Sequence, residues 1–202
     1  SEYSDTKVIS MFSGIKKYVS AFGSDLTGDG SADKPFKTIA KADNYYNENT
    51  NLLIVIAEGT YSYENNQEME RVAYASNFLI TGDTSSISKT IINGYTTIGT
   101  ESSIIGLTIE YIIARENAKI LNSKLIGRNI NLTNIDDIII SECIIEGDAP
   151  GIKIEYIKTN GKISVINTII SNTKGDYEGA AGITTNDYNQ TSGSKLILEN
   201  VT

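Results

Sequence analysis

From residue 52 onward the chain alternates short apolar runs with polar breaks, and the apolar residues do not recur at helical spacing. This pattern, rich in isoleucine and asparagine, predicts many short strands. Segments LIVIAEGTY, NFLITGDTS, SSIIGLTIEY, AKILNSKLIG, IIISECIIEG, ISVINTIISN and LILENVT align on one template. An apolar residue stands two before an anchor that is Gly, Asn or Glu, and another often stands three after it.

The anchors are Glu58, Gly82, Gly106, Asn122, Glu142, Asn167 and Asn200, spaced 24, 24, 16, 20, 25 and 33 residues apart. The residues two before them are Ile56, Ile80, Ile104, Ile120, Ile140, Val165 and Leu198. Those three after include Tyr61, Ile109, Leu125, Ile145 and Ile170. Gly82 fits worst, with Ser85 at the later position. Glu58 and Glu142 suit a tight turn poorly, and a one-residue shift would put Ser141 at the fifth anchor.

A period of 20 to 30 residues marks a solenoid. Further short strands are expected at TIING (90–94), NINL (129–132), GIKI (151–154) and GIT (182–184), and no unit contains an amphipathic helix. The architecture left is a parallel β-helix, all-β, in which inward residues stack into ladders while loops vary freely. Six to seven coils at ~4.8 Å per tier predict a rod roughly 30 Å long. Anchor Gly and Asn residues tolerate left-handed backbone angles, and stacked asparagines can bond along the axis.

Charge and composition then narrow the function. With 17 Lys and Arg against 25 Asp and Glu, the net charge of −8 argues against nucleic acid and anionic membranes. The absence of histidine removes Ser-His-Asp and Cys-His chemistry from this chain. Cys143, the single cysteine, sits in an apolar run and reads as packing. No stretch approaches the ~18 apolar residues of a membrane span, so no membrane insertion is expected in this segment.

FGSDLTGDGSADKPFKTIAKA (22–42) admits several readings. Asp25, Thr27, Asp29, Gly30, Ser31 and Asp33 occupy the first positions of a calcium loop, but Phe36 stands where a bidentate Glu is required. A phosphate cradle would need Gly-Lys-Ser/Thr after the glycines. YVSAFGSDLTGDGSADKPFKTIAKA (18–42), followed by LLIVIAEGTYS (52–62), resembles the N-terminal edge of right-handed parallel β-helix proteins of the pectate-lyase-like superfamily, especially microbial adhesin-like surface proteins.

That resemblance implies a first strand, a Gly-Asp loop, a capping helix and a first coil ending in Gly-Thr-Tyr. It divides the chain into a cap (1–51) and coils (52–202), with a helix around 38–47 using Phe36, Ile39 and Ala42 as apolar contacts. The fold class expected is an all-β, right-handed parallel β-helix solenoid with an N-terminal helical cap. The last unit stops at Thr202, one residue before the next expected apolar position, which reads as a piece of a larger protein.

The resemblance also includes polysaccharide lyases and glycoside hydrolases, whose sites group acids with Arg or Lys, or pair aspartates with His. Here Asp136-Asp137 reads as a solvated turn, and Arg115 and Arg128 have no recognisable acidic ladder beside them. No catalytic residue, metal ligand or cofactor is assigned. The resemblance implies a non-catalytic extracellular or cell-surface module, a monomeric segment contacting a surface glycan or another cell's surface protein. The alternatives are a lyase or hydrolase whose site lies partly outside this segment, or a stalk.

The loop TKGDYEGAAGITTNDYNQTSGS (173–194) carries the ligand-binding expectation, on Asp176, Tyr177, Asn186, Asp187 and Tyr188. Aromatic faces beside planar polar groups suit sugar rings and their hydroxyls. The bland alternative is a solvated excursion. Asn131, Asn189 and Asn200 head glycosylation sequons, which so Asn- and Thr-rich a chain also produces by chance.

Overall fold

The computed structural model describes residues 12–46, 51–62, 71–73, 78–81, 87–127, 130–133, 135–147, 151–155, 157–171, 173, 182–185 and 193–202. Its elements begin with β1 (Ile15–Val19), α1 (Ile39–Asp43), β2 (Leu52–Ile56), β3 (Gly59–Ser62), β4 (Arg71–Ala73), β5 (Phe78–Thr81) and β6 (Thr90–Ile98). β7 (Ser103–Ile105), β8 (Thr108–Ala114), β9 (Lys119–Leu121), β10 (Lys124–Ile126), β11 (Ile130–Leu132) and β12 (Ile135–Ser141) follow. The series ends with β13 (Ile144–Glu146), β14 (Ile152–Ile154), β15 (Ile157–Ile166), β16 (Ile169–Ser171), β17 (Ile183–Thr185) and β18 (Lys195–Glu199).

One face stacks β1-β2-β5-β7-β9-β12-β15-β18, and a second sheet stacks the remaining strands around β6 and β8. Described pairings are parallel, as in β7 with β9 and β12 with β15. Strands recurring one coil apart and pairing in parallel define a parallel β-helix. The first face has eight tiers rather than six or seven, because β1 forms a tier of its own on β2.

The expected ladder is present, fully buried at Ile104, Ile120, Ile140 and Val165 and 51% exposed at Leu198 in the last strand. Ile80, Ile104, Ile120, Ile140, Val165 and Leu198 pair in register from tier to tier. The second column runs Tyr61, Ile92, Ile109, Leu125, Ile145 and Ile170. A fully buried isoleucine contributes roughly 1.5–3 kcal/mol, so these columns dominate stability. In two places the register differs from the expectation. Ile54, not Ile56, pairs with Ile80, because the corner after β2 takes a longer path through Ala57 and Glu58. The column position expected at Ser85 belongs to Ile92; Gly82 and Ser85 lie outside the described residues.

The later anchors hold. Gly106, Asn122, Glu142, Asn167 and Asn200 have φ of 73°, 41°, 56°, 49° and 51°, all left-handed. Glu142 is therefore the anchor, not Ser141, despite its unfavourable side chain. Glu58 has no such angle. Just after Gly106, Asn122, Glu142 and Asn167 a side chain turns inward: Leu107, Ser123, Cys143 and Thr168 are buried in successive tiers. Ser123 Oγ donates to Leu121 O (2.8 Å) and Thr168 Oγ1 to Ile166 O (2.9 Å). The Cys143 thiol lies 3.3 Å from Ser141 O and takes the same role.

At the N-terminal end, Lys17 occupies the column that Ile54 begins. Its ammonium lies 4.0 Å from the Tyr45 ring centroid and donates to Asp29 O at 2.9 Å. The Gly-Asp loop folds over this end: Tyr18 N–H donates to Gly30 O, and Phe36 N–H to Tyr18 O, each at 2.9 Å. The loop thereby satisfies backbone groups of β1 that face away from β2. Asp25 Oδ1 accepts from the Lys37 and Thr38 amides at 2.8 and 3.0 Å, fixing the entry to α1. Thr38 caps the helix, whose span is shorter than the expected 38–47. Phe36, Ile39 and Ala42 are fully buried, as expected.

Candidate functional site

The exterior of the second sheet is built by simple alternation. In β6 and β8, Thr96, Ile98, Ile112 and Ala114 point inward, so Tyr95, Thr97, Tyr111 and Ile113 point outward. Register places Tyr95 directly beside Tyr111. Their rings meet edge to face, centroids 4.8 Å apart, and Tyr95 is 38% exposed. The rigid stack beneath holds both side chains in place without loop ordering.

Continuing the outward alternation past β8 leads to Arg115, which is exposed. Thr100, Arg115, Glu116 and Thr133, contributed by three successive coils, line a cleft of about 270 Å³. The Arg115 backbone N–H donates to Ile98 O at 3.2 Å, which anchors the residue at the coil corner. Among the described residues its guanidinium has no ion-pair partner.

Beside the cleft, Lys158 contacts the Glu116 carboxylate and lies 3.4 Å from Asp136 Oδ2. The Glu116 hydrogen bond holds the Lys158 pKa above its ordinary value, with Asp136 adding to it against some desolvation. Asp136-Asp137 is not a turn: both residues lie in β12, at a register irregularity against β15. Asp136 and Glu116 thus stand on neighbouring tiers, a short acidic pairing that coil-to-coil comparison of the sequence missed. Among the described residues no group of three or more His, Cys, Asp or Glu side chains could hold a metal ion.

Asp176, Tyr177, Asn186, Asp187 and Tyr188, expected to bind ligand, lie outside the described residues, as do Arg128 and Asn189. In the Gly-Asp loop, Asp25 is engaged with backbone amides and Asp29 Oδ1 accepts from Ser31 N–H at 2.8 Å. The sequon residue Asn200 is used in a side-chain ladder, donating from Nδ2 to Asn167 Oδ1. The Tyr95–Tyr111 pair carried one available signal: Tyr111 ends the segment SSIIGLTIEY, and Tyr95 directly follows the expected strand TIING (90–94).

The tiered parallel strands and helical cap make the protein a right-handed parallel β-helix, a fold it shares with solved structures. Pectate lyase Pel9A matches with a TM-score of 0.55 at 14% identity, over 88% of this chain and 59% of that one. A rhamnogalacturonan lyase matches at 0.53 and 14%, over 92% and 62%. The chain spans about three fifths of the length of these two. A pectin methylesterase from Aspergillus niger matches at 0.49 and 12%, over 92% and 84%, too distant to carry argument. Such identities establish the fold alone. No protein-family profile and no curated protein sequence matches the chain.

Proposed function

We propose that this chain is a non-catalytic, extracellular or cell-surface β-helix module of the adhesin-like kind, which contacts glycans through the exterior of its coils. The observation that carries this reading is the Tyr95–Tyr111 pair, presented outward from adjacent strands. Aromatic faces stack on the apolar faces of sugar rings, and a preordered pair binds with little loss of side-chain freedom. The cap's sequence resemblance to adhesin-like proteins points the same way. The 173–194 loop would supply a second contact region.

The test is binding of the labelled protein to whole microbial cells and an immobilised glycan panel. Saturable binding lost in Tyr95→Ala, Tyr111→Ala supports the reading; loss only in Tyr177→Ala, Tyr188→Ala moves the site to the loop. No binding to any glycan or cell overturns it.

A second reading, polysaccharide cleavage, draws on Glu116, Asp136 and Lys158 meeting across neighbouring tiers and on the lyase names of two fold neighbours. Against it, a Lys serving as general base needs a lowered pKa, and this one is raised. Incubation with acidic and neutral polysaccharides, followed for unsaturated products and new reducing ends, separates the two readings.

A further inference from the structure

Phe22 and Leu26 are the most exposed large apolar side chains among the described residues, at 98% and 93%. A lone exposed leucine is ordinary on a protein surface. These two stand four residues apart on one loop whose backbone fixes them outward. Gly23 N–H donates to Ser20 O at 2.8 Å, Ser24 N–H to Pro35 O at 3.1 Å and Gly28 N–H to Ser24 O at 2.9 Å. Thr27 N–H donates to Ser24 Oγ at 3.1 Å, closing the turn that carries Leu26. A Cβ on Gly23 or Gly28 would overlap the Phe36 or Ser24 carbonyl, so the loop backbone is already packed on itself.

Beside the two side chains lies a cleft of about 340 Å³ whose walls include Phe22, Gly28, Asp33, Lys34 and Pro35. A cavity of roughly 150 Å³ already holds a benzene-sized group. One patch therefore offers an apolar projection, Leu26, and a recess large enough to receive one. Asp33 and Lys34 are both exposed on its rim, and neither forms a salt bridge among the described residues. A patch that carries both halves of a contact is self-complementary about a two-fold axis, and such a contact closes at two copies. Across that axis Lys34 of one copy faces Asp33 of the other, twice over.

We propose that two copies of this chain dock cap to cap, each seating Leu26 in the other's cleft against Phe22, with Asp33 and Lys34 paired across the axis. A lipid surface is the poorer occupant, because Asp25, Asp29 and Asp33 stand in the same loop and would have to leave water with it. The four apolar side chains bury on the order of 600 Å² in the dimer. With the rim added, the contact belongs among small interfaces, which form reversibly. It lies at the cap, apart from Tyr95 and Tyr111, and does not depend on what the coil exterior binds.

Sedimentation equilibrium of the whole chain over about 1–500 µM measures the association. The wild type is expected to pass from monomer to dimer in that range and to stop there. Leu26→Ser and Phe22→Ser should each raise the dissociation constant about tenfold or more. Both side chains are in solvent in the single copy, so the melting temperatures of these variants should not change. Asp33→Lys and Lys34→Asp should each weaken self-association, whereas an equimolar mixture of the two should associate better than either alone, because opposite signs then meet at both contacts.

A chain that stays monomeric throughout, the state expected from sequence, overturns the proposal. So does growth beyond the dimer, which marks an open head-to-tail contact, or association untouched by Leu26→Ser and Phe22→Ser. Charge variants as weak mixed as alone overturn the two-fold pairing. Binding of a monomeric chain to phosphatidylcholine vesicles, lost in the two serine variants, would assign the loop to a lipid surface instead.

Discussion

Asn200 donates from Nδ2 to Asn167 Oδ1 at 2.9 Å, so two left-handed anchors one coil apart are joined side chain to side chain along the axis. Asn122 is also an anchor, but Glu142 stands between it and Asn167. A glutamate lacks the amide donor that continues such a ladder, and its left-handed angle is less tolerated than that of Asn. Glu142→Asn should therefore stabilise the protein by about 1 kcal/mol, through easier backbone geometry and a restored donor. Urea melts of the variant and the wild type give the measurement; equal midpoints would mean that the ladder contributes nothing beyond the two coils that already show it.

Cys143 sits in the same corner, one residue inward, between Ser123 and Thr168. Burial pushes its thiol up to about 12, and backbone hydrogen bonds at Ser123 and Ser141 only partly offset that. A group so protected forms almost no thiolate at neutral pH, and the thiolate is the reactive species. An aromatic disulfide reagent should label Cys143 on the timescale of global unfolding and at once in denaturant. Cys143→Ser should cost within about 1 kcal/mol, because the hydroxyl can donate to the Ser141 carbonyl as its neighbours do to theirs. Rapid labelling of the native protein would show that the corner opens independently of the core.

The interior was legible because stacking demands repetition: Ile104, Ile120 and Ile140 recur in sequence because they touch in space. Glu142 shows the limit of residue-type reasoning, since the corner geometry imposed by its neighbours overrides its own backbone preference. Ile56 was misplaced for Ile54 because a two-residue change in corner path leaves apolar alternation unaltered. The outward features were harder to read. Lys158 meets Glu116 from 42 residues away, across coils of unequal length, and no local pattern encodes that meeting. Arg115 looked isolated in sequence for the same reason: its cleft is assembled from three coils.

Asp43, at the end of α1, has a buried Oδ1 with no hydrogen-bond partner among the described residues, and burial pushes its carboxyl up to about 6. The unfolded chain releases this proton near the ordinary value of 3.8, so between about pH 4 and 6 the folded state holds the extra proton. Stability from this group therefore falls as pH rises through that window and is lowest above it. Allowing for solvent screening of a partly exposed carboxyl, the loss is on the order of 1 kcal/mol. Asp43→Asn should raise the midpoint at pH 7 and leave it nearly unchanged at pH 4. A wild type equally stable relative to the variant at both pH values would place the titration elsewhere.

Gly30 decides whether the cap can seat. Its φ is +77°, and an added Cβ would fall 2.4 Å from Phe36 Cε2 and 2.6 Å from Lys17 Cδ. Phe36 is fully buried, so it cannot swing aside, and Lys17 is held over the Tyr45 ring. Gly30→Ala should cost about 1–3 kcal/mol from backbone strain and overlap together. Because Gly30 O accepts the Tyr18 amide, the damage should appear first at the edge of β1. Hydrogen exchange is the discriminating measurement: amides of Tyr18 and Ser20 should speed up while those of β9 and β12 keep wild-type protection. Uniform acceleration across all tiers would instead mean that the cap and the coils unfold as one unit, and that closing this end of the rod sets the stability of the whole.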